Sequence, residues 1–310
     1  MAAELSPRMQ RMVGIFDASK PVASSKLVYL SDLNSKELKF LEKVLGNADA
    51  ARRRQVISKL VHLSEDDFRL DFSGIFAFCL RNPDEAVRIQ AIVGLGVEEN
   101  HRFVTPLLQS LKEASSAEVR AAAAMTLGKF TLLGELGKLS VHLRDKIYTD
   151  LLEILDSKAE TAEVKRRALE AISPLNLPRV KELIGQAYHT NDVKLKASAI
   201  CAMGRNCDQA WLTILLNELN SDEAEIRCEA AIACGEIGDE EAIPHLLRLV
   251  KDEDNQVQEA AIKALGEIGG EQAKQALNQL AKSPQPRIRE ATKSALKEIQ
   301  FCEDHLSFQS

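Results

Sequence analysis

Residues Val257–Gly269 read VQEAAIKALGEIG, and this stretch recurs in altered form along the chain. Each copy begins with an aliphatic anchor residue, numbered here as position 0, and the next residue is basic in every copy but this one. Position 4 is alanine in six of seven copies, and position 9 is often glycine. The anchors are Val87, Val119, Val164, Leu195, Ile226, Val257 and Ile288, and successive anchor numbers differ by 32, 45, 31, 31, 31 and 31. Four identical spacings in succession indicate an internal repeat.

The spacing of apolar residues within each copy predicts helices. Positions 0, 4, 8 and 11 share one face of an α-helix at 3.6 residues per turn. A second amphipathic stretch precedes most anchors, as in residues 106–111. A short acidic turn containing Asp84, Asp192 or Asp254 lies between the two helices and suits a helix N-cap. One such pair cannot bury its apolar faces alone, so the sequence predicts an all-α solenoid of about eight stacked helix pairs.

The repeat also defines a domain organisation. We predict a non-repeat segment, helical or partly disordered, over residues 1–35, a repeat array over 36–300, and a C-terminal tail over 301–310. A degenerate early copy begins at Arg52. The longer spacing between Val119 and Val164 predicts an insertion near residues 131–145, either a loop or an extra short helix.

Composition limits the class of protein. The chain has 310 residues, 45% of them hydrophobic and 28% charged, which is typical of a globular protein and not of a disordered one. Aromatic residues make up only 5%, so the core depends on Ala, Leu, Ile and Val. The N-terminal part should have a bulkier core, because it contains Phe68, Phe72, Phe76 and Phe78.

Charge and cysteine content favour a cytoplasmic protein that does not bind polyanions generally. The net charge is −6, and residues 201–310 carry 11 basic and 20 acidic side chains. No apolar run is long enough to span a membrane, and no secretory signal precedes the repeats. The cysteines have no close spacing and are interpreted as reduced thiols. They are Cys79, Cys201, Cys207, Cys228, Cys234 and Cys302.

The repeat resembles the short, roughly 31-residue HEAT-like repeats of the phycobilin-lyase type, which occur in bacterial proteins. The resemblance covers about residues 50–300. It implies a right-handed, armadillo-like superhelix whose second helices line the concave surface. It also implies a ladder of Asp and Arg side chains between neighbouring repeats, for which Asp84 with Arg88 and Asp222 with Arg227 are the candidates. For function the resemblance is weak, because such repeats serve many roles.

No arrangement of residues predicts catalysis. Deoxyhypusine hydroxylase, a HEAT-like enzyme, binds iron through His-Glu pairs, and no histidine of this chain is followed by glutamate. No two histidines have the spacing of a zinc protease, and no Gly-x-Ser-x-Gly elbow occurs. Gly94-Leu95-Gly96 lacks the third glycine of a dinucleotide loop. We therefore expect a protein that is not an enzyme and holds no metal or cofactor.

Positions 2, 6 and 10 of the second helices do not follow the core pattern and should line the concave surface. Several of these positions are apolar where solvent would favour charge. We therefore predict a non-catalytic scaffold that binds a protein segment along this surface. The predicted partner-binding residues are Ile89, Val93, Met125, Cys201, Arg205, Cys228, Ile232 and Glu236.

Two other functions stay open at this point. The resemblance to phycobilin lyases implies a tetrapyrrole-binding lyase or chaperone as one alternative. The other is nucleic-acid binding through the basic clusters Arg52–Arg54 and Lys165–Arg167, as in HEAT-like DNA glycosylases.

Overall fold

A computed structural model of the chain describes residues 5–307, with side chains described through Phe301. This part of the chain is helical throughout and contains no strand. Helices α1 to α9 span Pro7–Ile15, Ser24–Leu27, Ser35–Asn47, Ala50–Asp66, Ser73–Cys79, Glu85–Leu95, Val104–Glu113, Ala117–Glu135 and Val141–Asp156. Helices α10 to α18 span Ala162–Ile172, Pro178–Tyr188, Val193–Asn206, Leu212–Glu218, Ala224–Ile237, Ile243–Leu249, Asn255–Ile268, Gly270–Leu280 and Pro286–Ser307.

From α3 onward the helices form the helix pairs of the predicted α-solenoid. Odd-numbered helices are the first members of the pairs, and even-numbered helices are the second members, which contain the anchors. The chain divides into two compact units, one through Ala171 and one from Ile172. In the first unit α4 packs on α6 and α6 on α8, and in the second unit α12, α14, α16 and α18 pack in succession. Second helices therefore form a layer within each unit, and the first helices pack against them.

The repeat pattern has the structural meaning that the sequence predicted. The carboxylates of Asp84, Asp192 and Asp254 accept hydrogen bonds from backbone N–H groups in the first turns of α6, α12 and α16. These N-caps satisfy donors that have no partner within the helix. The alanines at position 4 are fully buried, and so are most of the anchors. Leu195 is the exception, since it stays partly exposed.

Second helices of neighbouring repeats approach closely through a glycine–alanine row. The glycine at position 9 of one repeat lies against the alanine at position 7 of the next. A Cβ atom placed on Gly204 would lie 2.6 Å from the Cα of Ala233. The same construction on Gly235 gives 2.9 Å to the Cα of Ala264. No side chain fits at these distances, so glycine is required. The row consists of Gly128 on Ala171 in the first unit, and of Gly204 on Ala233, Gly235 on Ala264 and Gly266 on Ala295 in the second.

The N-terminal segment contributes a packed helix to the first unit. Met12 and Phe16 are buried on the packed side of this helix, whereas Leu5 is exposed. Arg8 Nε donates to the carbonyl oxygen of Tyr29 at 2.9 Å, and the Arg11 guanidinium lies 4.2 Å from the Tyr29 ring centroid. These contacts fix α1 beside the start of the repeats.

The long anchor spacing is accommodated by longer helices. Helix α8 has 19 residues and continues to Glu135, and α9 begins at Val141 and has 16 residues. Residues 131–145 are therefore the end of α8, a turn and the start of α9. At the other end of the chain, α18 continues through Ser307, beyond residue 300, where the sequence interpretation ended the array.

The phenylalanines of the first unit follow the prediction of a bulkier core in part. Phe72 and Phe76 are buried and pack edge to face, with ring centroids 6.4 Å apart. Phe68 is 93% exposed, so its assignment to the core was wrong. It lies in the turn between α4 and α5, where no neighbouring helix covers it.

The glycine–alanine row predicts opposite effects for two Gly→Ala substitutions. Alanine favours helices over glycine by about 1 kcal/mol, so Gly185→Ala in α11, where nothing lies within 4 Å of the new Cβ, should raise the free energy of unfolding. Gly204→Ala forces α12 and α14 apart and should lower it by about 1–3 kcal/mol despite the same gain in propensity. Urea unfolding followed by circular dichroism measures both. Equal stabilisation by the two substitutions would contradict the close contact.

Candidate functional site

The eight predicted binding residues all lie on second helices, and none is buried. Those in the first unit are on α6 and α8, and those in the second unit are on α12 and α14. The set therefore consists of two groups that belong to different compact units. The first group is Ile89, Val93 and Met125, and the second is Cys201, Arg205, Cys228, Ile232 and Glu236.

The first group belongs to a larger apolar surface. Met125 is 45% exposed, and Leu132 and Leu136 are 48% and 61% exposed. They follow Met125 by about two and three helical turns, which places all three on one face of α8 and its C-terminal end. Val97 is 39% exposed, at the end of α6. We call Val93, Val97, Met125, Leu132 and Leu136 the apolar stripe.

Two hydrogen bonds hold α6 and α8 side by side under the stripe. Thr126 Oγ1 donates to the carbonyl oxygen of Ile92 at 3.3 Å, and Lys129 Nζ donates to that of Val97 at 2.8 Å. Sequence reasoning missed Leu132 and Leu136 because it ended each repeat at position 11. Their placement on the same helix face as Met125, whole turns further along α8, was the signal that could have found them.

The second group is more polar. The carboxylate of Glu236 lies over Gly204 of the preceding repeat, where the absence of a side chain leaves room for it. Desolvation raises the pKa of Glu236, and the positive charge of Arg205 opposes that shift. Burial raises the pKa of the Cys228 thiol to about 11, so this thiol is protonated at neutral pH. The group thus combines half-buried Ile232 with a single charged pair of side chains.

The five cysteines with described side chains are present as thiols. None of the five whose side chains the structure describes forms a disulfide, and Cys302 lies outside this set. Burial raises the pKa of Cys79 and of Cys234 to about 12, which keeps both thiols protonated. Through Phe301, no three His, Cys, Asp or Glu side chains are grouped as metal ligands.

Where position 1 is arginine, its side chain stabilises the turn of its own repeat. The Nη1 atoms of Arg88 and Arg227 donate to carbonyl oxygens five and six residues earlier, at 2.7–3.1 Å. The two carboxylate pairs suggested from the sequence, Asp84 with Arg88 and Asp222 with Arg227, were therefore wrong. The reason is geometric: the arginine folds back onto the backbone of its own turn and leaves its other nitrogens for the next repeat.

A ladder of arginine–carboxylate pairs between repeats is present, but the arginines pair with carboxylates other than those predicted. Arg227 donates from Nε and Nη2 to Asp252 in the following turn, both at 2.8 Å. Arg120 makes the same two-bond contact with Glu160, also at 2.8 Å. Hydrogen bonding to Arg227 holds the pKa of Asp252 below its ordinary value. These two-bond contacts tie consecutive repeats together at their turns.

The two basic clusters serve mostly structural contacts. Arg52 is buried and donates from Nε to the carbonyl oxygen of Ile15 at 2.8 Å, which ties α4 to α1. Arg54 pairs with Asp84 at 2.8 Å. In α10, Arg166 and Arg167 pair with glutamates of the same helix at 3.0–3.1 Å. Carboxylates of this chain thus neutralise Arg54, Arg166 and Arg167, which reduces the charge available to a phosphate backbone.

Comparison with protein families agrees with this architecture. A family profile described as HEAT repeats matches residues 73–146 and 212–297, together just over half of the chain. The chain belongs to the HEAT-repeat family. No curated protein sequence matches it. Among the helices of the described residues, none is long and apolar enough to cross a membrane.

Several solved structures are similar to this chain at low sequence identity. The CpcE–CpcF complex of phycocyanin lyase from a Nostoc species is 15% identical over 91% of this chain and 97% of that chain, with a TM-score of 0.57. At this identity the likeness shows the fold alone. The karyopherin Kap121p bound to the SUMO protease Ulp1p is 16% identical over 93% of this chain and 37% of that chain, with a TM-score of 0.49. Human deoxyhypusine hydroxylase is 17% identical over 95% and 97%, with a TM-score of 0.38.

The ladder predicts a pH-dependent loss of stability. Asp252→Asn leaves the buried Arg227 guanidinium without its carboxylate and should lower the free energy of unfolding by about 3 kcal/mol at neutral pH. Folding lowers the pKa of Asp252. The contribution of Asp252 to the free energy of unfolding is therefore complete above the ordinary aspartate pKa, and it is lost as pH falls through the pKa of the folded state. The difference between wild type and variant should therefore shrink as pH falls below the ordinary aspartate pKa of about 3.9.

Urea unfolding at neutral and acidic pH measures this difference. Asp67→Asn is the matched control, since the Asp67–Arg69 pair lies within one exposed turn and should contribute little. An Asp252→Asn variant that unfolds like the control would show that the ladder does not stabilise the repeats.

Proposed function

We propose that this HEAT-repeat protein is a non-catalytic scaffold that binds an amphipathic helix of a partner protein along the apolar stripe. The observation that carries the proposal is the run of exposed Met125, Leu132 and Leu136 on one face of α8. Exposed apolar residues scattered singly are ordinary, whereas a contiguous run marks an interaction surface.

The length and chemistry of the stripe fit a helix. From Met125 to Leu136 the face extends over about three turns, or about 16 Å at roughly 1.5 Å per residue. The apolar face of a partner helix repeats at i, i+3, i+4 and i+7, which matches a surface of this length with two to three side chains. Lys129 lies between Met125 and Leu132 on this helix face, and its ammonium group, bound to the Val97 carbonyl, places one positive charge within the stripe.

Cys201, Arg205, Cys228, Ile232 and Glu236 are proposed as contacts of the second unit. Their half-buried apolar groups and the Arg205 and Glu236 charges suit a polar or extended segment better than an apolar helix face. Binding there is independent of the stripe in this proposal.

The alternatives from the sequence make different predictions. A tetrapyrrole-binding protein would change the absorbance spectrum of an added bilin, and the likeness to the phycocyanin lyase complex supports only a shared fold. A nucleic-acid-binding protein would be retained on duplex DNA in a salt-dependent way through Arg52–Arg54 and Lys165–Arg167. The ion pairs of Arg54, Arg166 and Arg167 with carboxylates of this chain argue against it.

The stripe predicts where a partner can be cross-linked. A photoreactive amino acid placed at Met125 should form a cross-link to an apolar helical segment of a protein captured from native extract, and mass spectrometry identifies that segment. Met125→Glu with Leu132→Glu should abolish the capture because charges would be buried in the interface. The helical circular dichroism signal should stay unchanged, since both side chains are exposed.

Val193→Glu is the matched control. Val193 is 42% exposed at the start of α12, outside the stripe, and an acidic residue in a first helical turn is favourable. If the double variant of the stripe captures the partner as well as the Val193→Glu variant does, the stripe is not the binding surface. Ile232→Glu tests the second unit in the same assay.

A further inference from the structure

The ladder arginines share a geometry that leaves two donors aimed at the next repeat. Arg88, Arg120 and Arg227 each donate from Nη1 to the carbonyl oxygens of their own turn. This contact orients the planar guanidinium, so that Nε and Nη2 face the following turn. In Arg120 and Arg227 these two nitrogens bind both oxygens of one carboxylate, Glu160 or Asp252.

Two arginines early in the first unit have no such carboxylate. Asp252 lies five residues before its anchor, and the same position in the repeats that follow Arg53 and Arg88 is occupied by Asn82 and Ala114. Asn82 makes the same hydrogen bond to the backbone as Asp252. Its Oδ1 accepts from Asp84 N at 3.0 Å, and Asp252 Oδ1 accepts from Asp254 N at 2.9 Å. Asn82 brings no negative charge. Among the described side chains, none supplies a carboxylate to Arg53 or Arg88.

A cavity occupies the place of the two absent contacts. Its volume is about 780 Å³, and its walls include Arg53, Arg81, Arg88, Asn82 and Ala114. The Nε atom of Arg53 is buried and has no hydrogen-bond partner in the described structure. An unsatisfied buried donor of a charged group is costly. A rotation of the Arg53 side chain that brings this nitrogen to a carboxylate in the cavity would remove that cost.

The cavity continues as a groove along α5. A second cavity of about 790 Å³ shares Ala77, Phe78, Arg81 and Pro106 with the first. Helix α5 has only seven residues and forms the floor between α3 and α7. The combined space is elongated and partly apolar, which suits a length of peptide chain more than a small ion.

We propose that this groove binds an acidic segment of a partner protein, with one carboxylate on Arg53 and another on Arg88. On Arg88 the occupant would complete the ladder from outside, in the two-bond geometry that Glu160 and Asp252 use from within. On Arg53 the side chain would first turn toward the cavity. Because α4 and α6 pack together, their arginines are separated by about one helix spacing of 8–10 Å. An extended chain rises about 3.3 Å per residue, so the two acidic residues should be two or three positions apart.

The border of the groove limits the negative charge of the occupant. Glu42 and Glu113 also line the first cavity, so a polyanion such as nucleic acid would meet repulsion there. Two isolated carboxylates on a peptide of otherwise neutral composition fit the distribution of charge. This site is separate from the apolar stripe and does not depend on the function proposed for the stripe.

Fluorescence anisotropy with labelled ten-residue peptides tests the proposal. The peptides carry two glutamates separated by one, two or three residues in an alanine, leucine and serine background, and the reference peptides carry glutamine instead. The intact chain should bind at least one glutamate peptide about tenfold more tightly than its glutamine counterpart, more weakly at high salt. The absence of any preference for glutamate would overturn the proposal.

Substitutions that supply the carboxylates from within the chain give the sharpest test. Asn82→Asp with Ala114→Asp should give Arg53 and Arg88 carboxylate partners within the chain. Peptide binding should weaken about tenfold and the melting temperature should rise, although no positive charge is removed. Asn220→Asp makes the same isosteric change on an exposed turn of the second unit and should leave binding unaltered. Unaltered binding by the double variant would contradict the site.

Two further measurements distinguish the groove from the stripe and from a site for a small oxyanion. Met125→Glu should leave peptide binding unchanged, so that failure of the stripe and failure of the groove can be told apart. Sodium phosphate at matched ionic strength should compete no better than sodium chloride. Displacement of the peptide by phosphate at low concentration would identify a site for a small oxyanion and would overturn the assignment to an acidic segment.

Discussion

The close approach of second-helix backbones determines which side chains each repeat can accept and where its turns fall. The Cα atoms of Ala233 and Ala264 lie so near Gly204 and Gly235 that no larger side chain fits between the helices. This contact fixes glycine at position 9 and alanine at position 7, and the fully buried alanines at position 4 lie in the same layer. It also explains why aromatic residues are scarce in the second unit, where thin side chains allow the greatest contact between helix backbones.

The spacing constraint determines where the turns fall and therefore which polar groups meet. Once α14 and α16 are in contact, the turn before α16 lies beside the start of α14, and Arg227 reaches Asp252. The same register brings Asn82 and Ala114 opposite arginines without supplying a charge. Both proposed binding surfaces lie where a repeat departs from the common pattern: the extended α8 carries the stripe, and the uncharged turns border the groove.

The sequence predicted the fold well because the repeat is a regular spacing of residues, and such spacing is visible in the sequence. A constant anchor spacing and buried positions 0 and 4 are properties of one helix and its neighbour, and they need no knowledge of side-chain direction. The ladder partners required such knowledge. Arg88 donates to the carbonyl oxygens of Asn82 and Pro83. This direction of the side chain depends on the path of the turn and not on residue type. Leu132 was missed for another reason, since the end of α8 lies outside the repeating unit.

The glycine–alanine row has a consequence for self-association. A repeat that carries the glycine on one face and the alanine on the other is complementary to another copy of itself. A contact of this head-to-tail kind between molecules does not close on itself and can continue as a fibre. The repeat that begins at Ile288 carries Lys297, an exposed lysine, at the position where Gly266 and Gly235 stand in the preceding repeats. A long charged side chain there prevents another helix from reaching the backbone. Lys297 thus marks the end of the glycine–alanine row at this repeat, in the way that charged residues protect the edges of β-sheets.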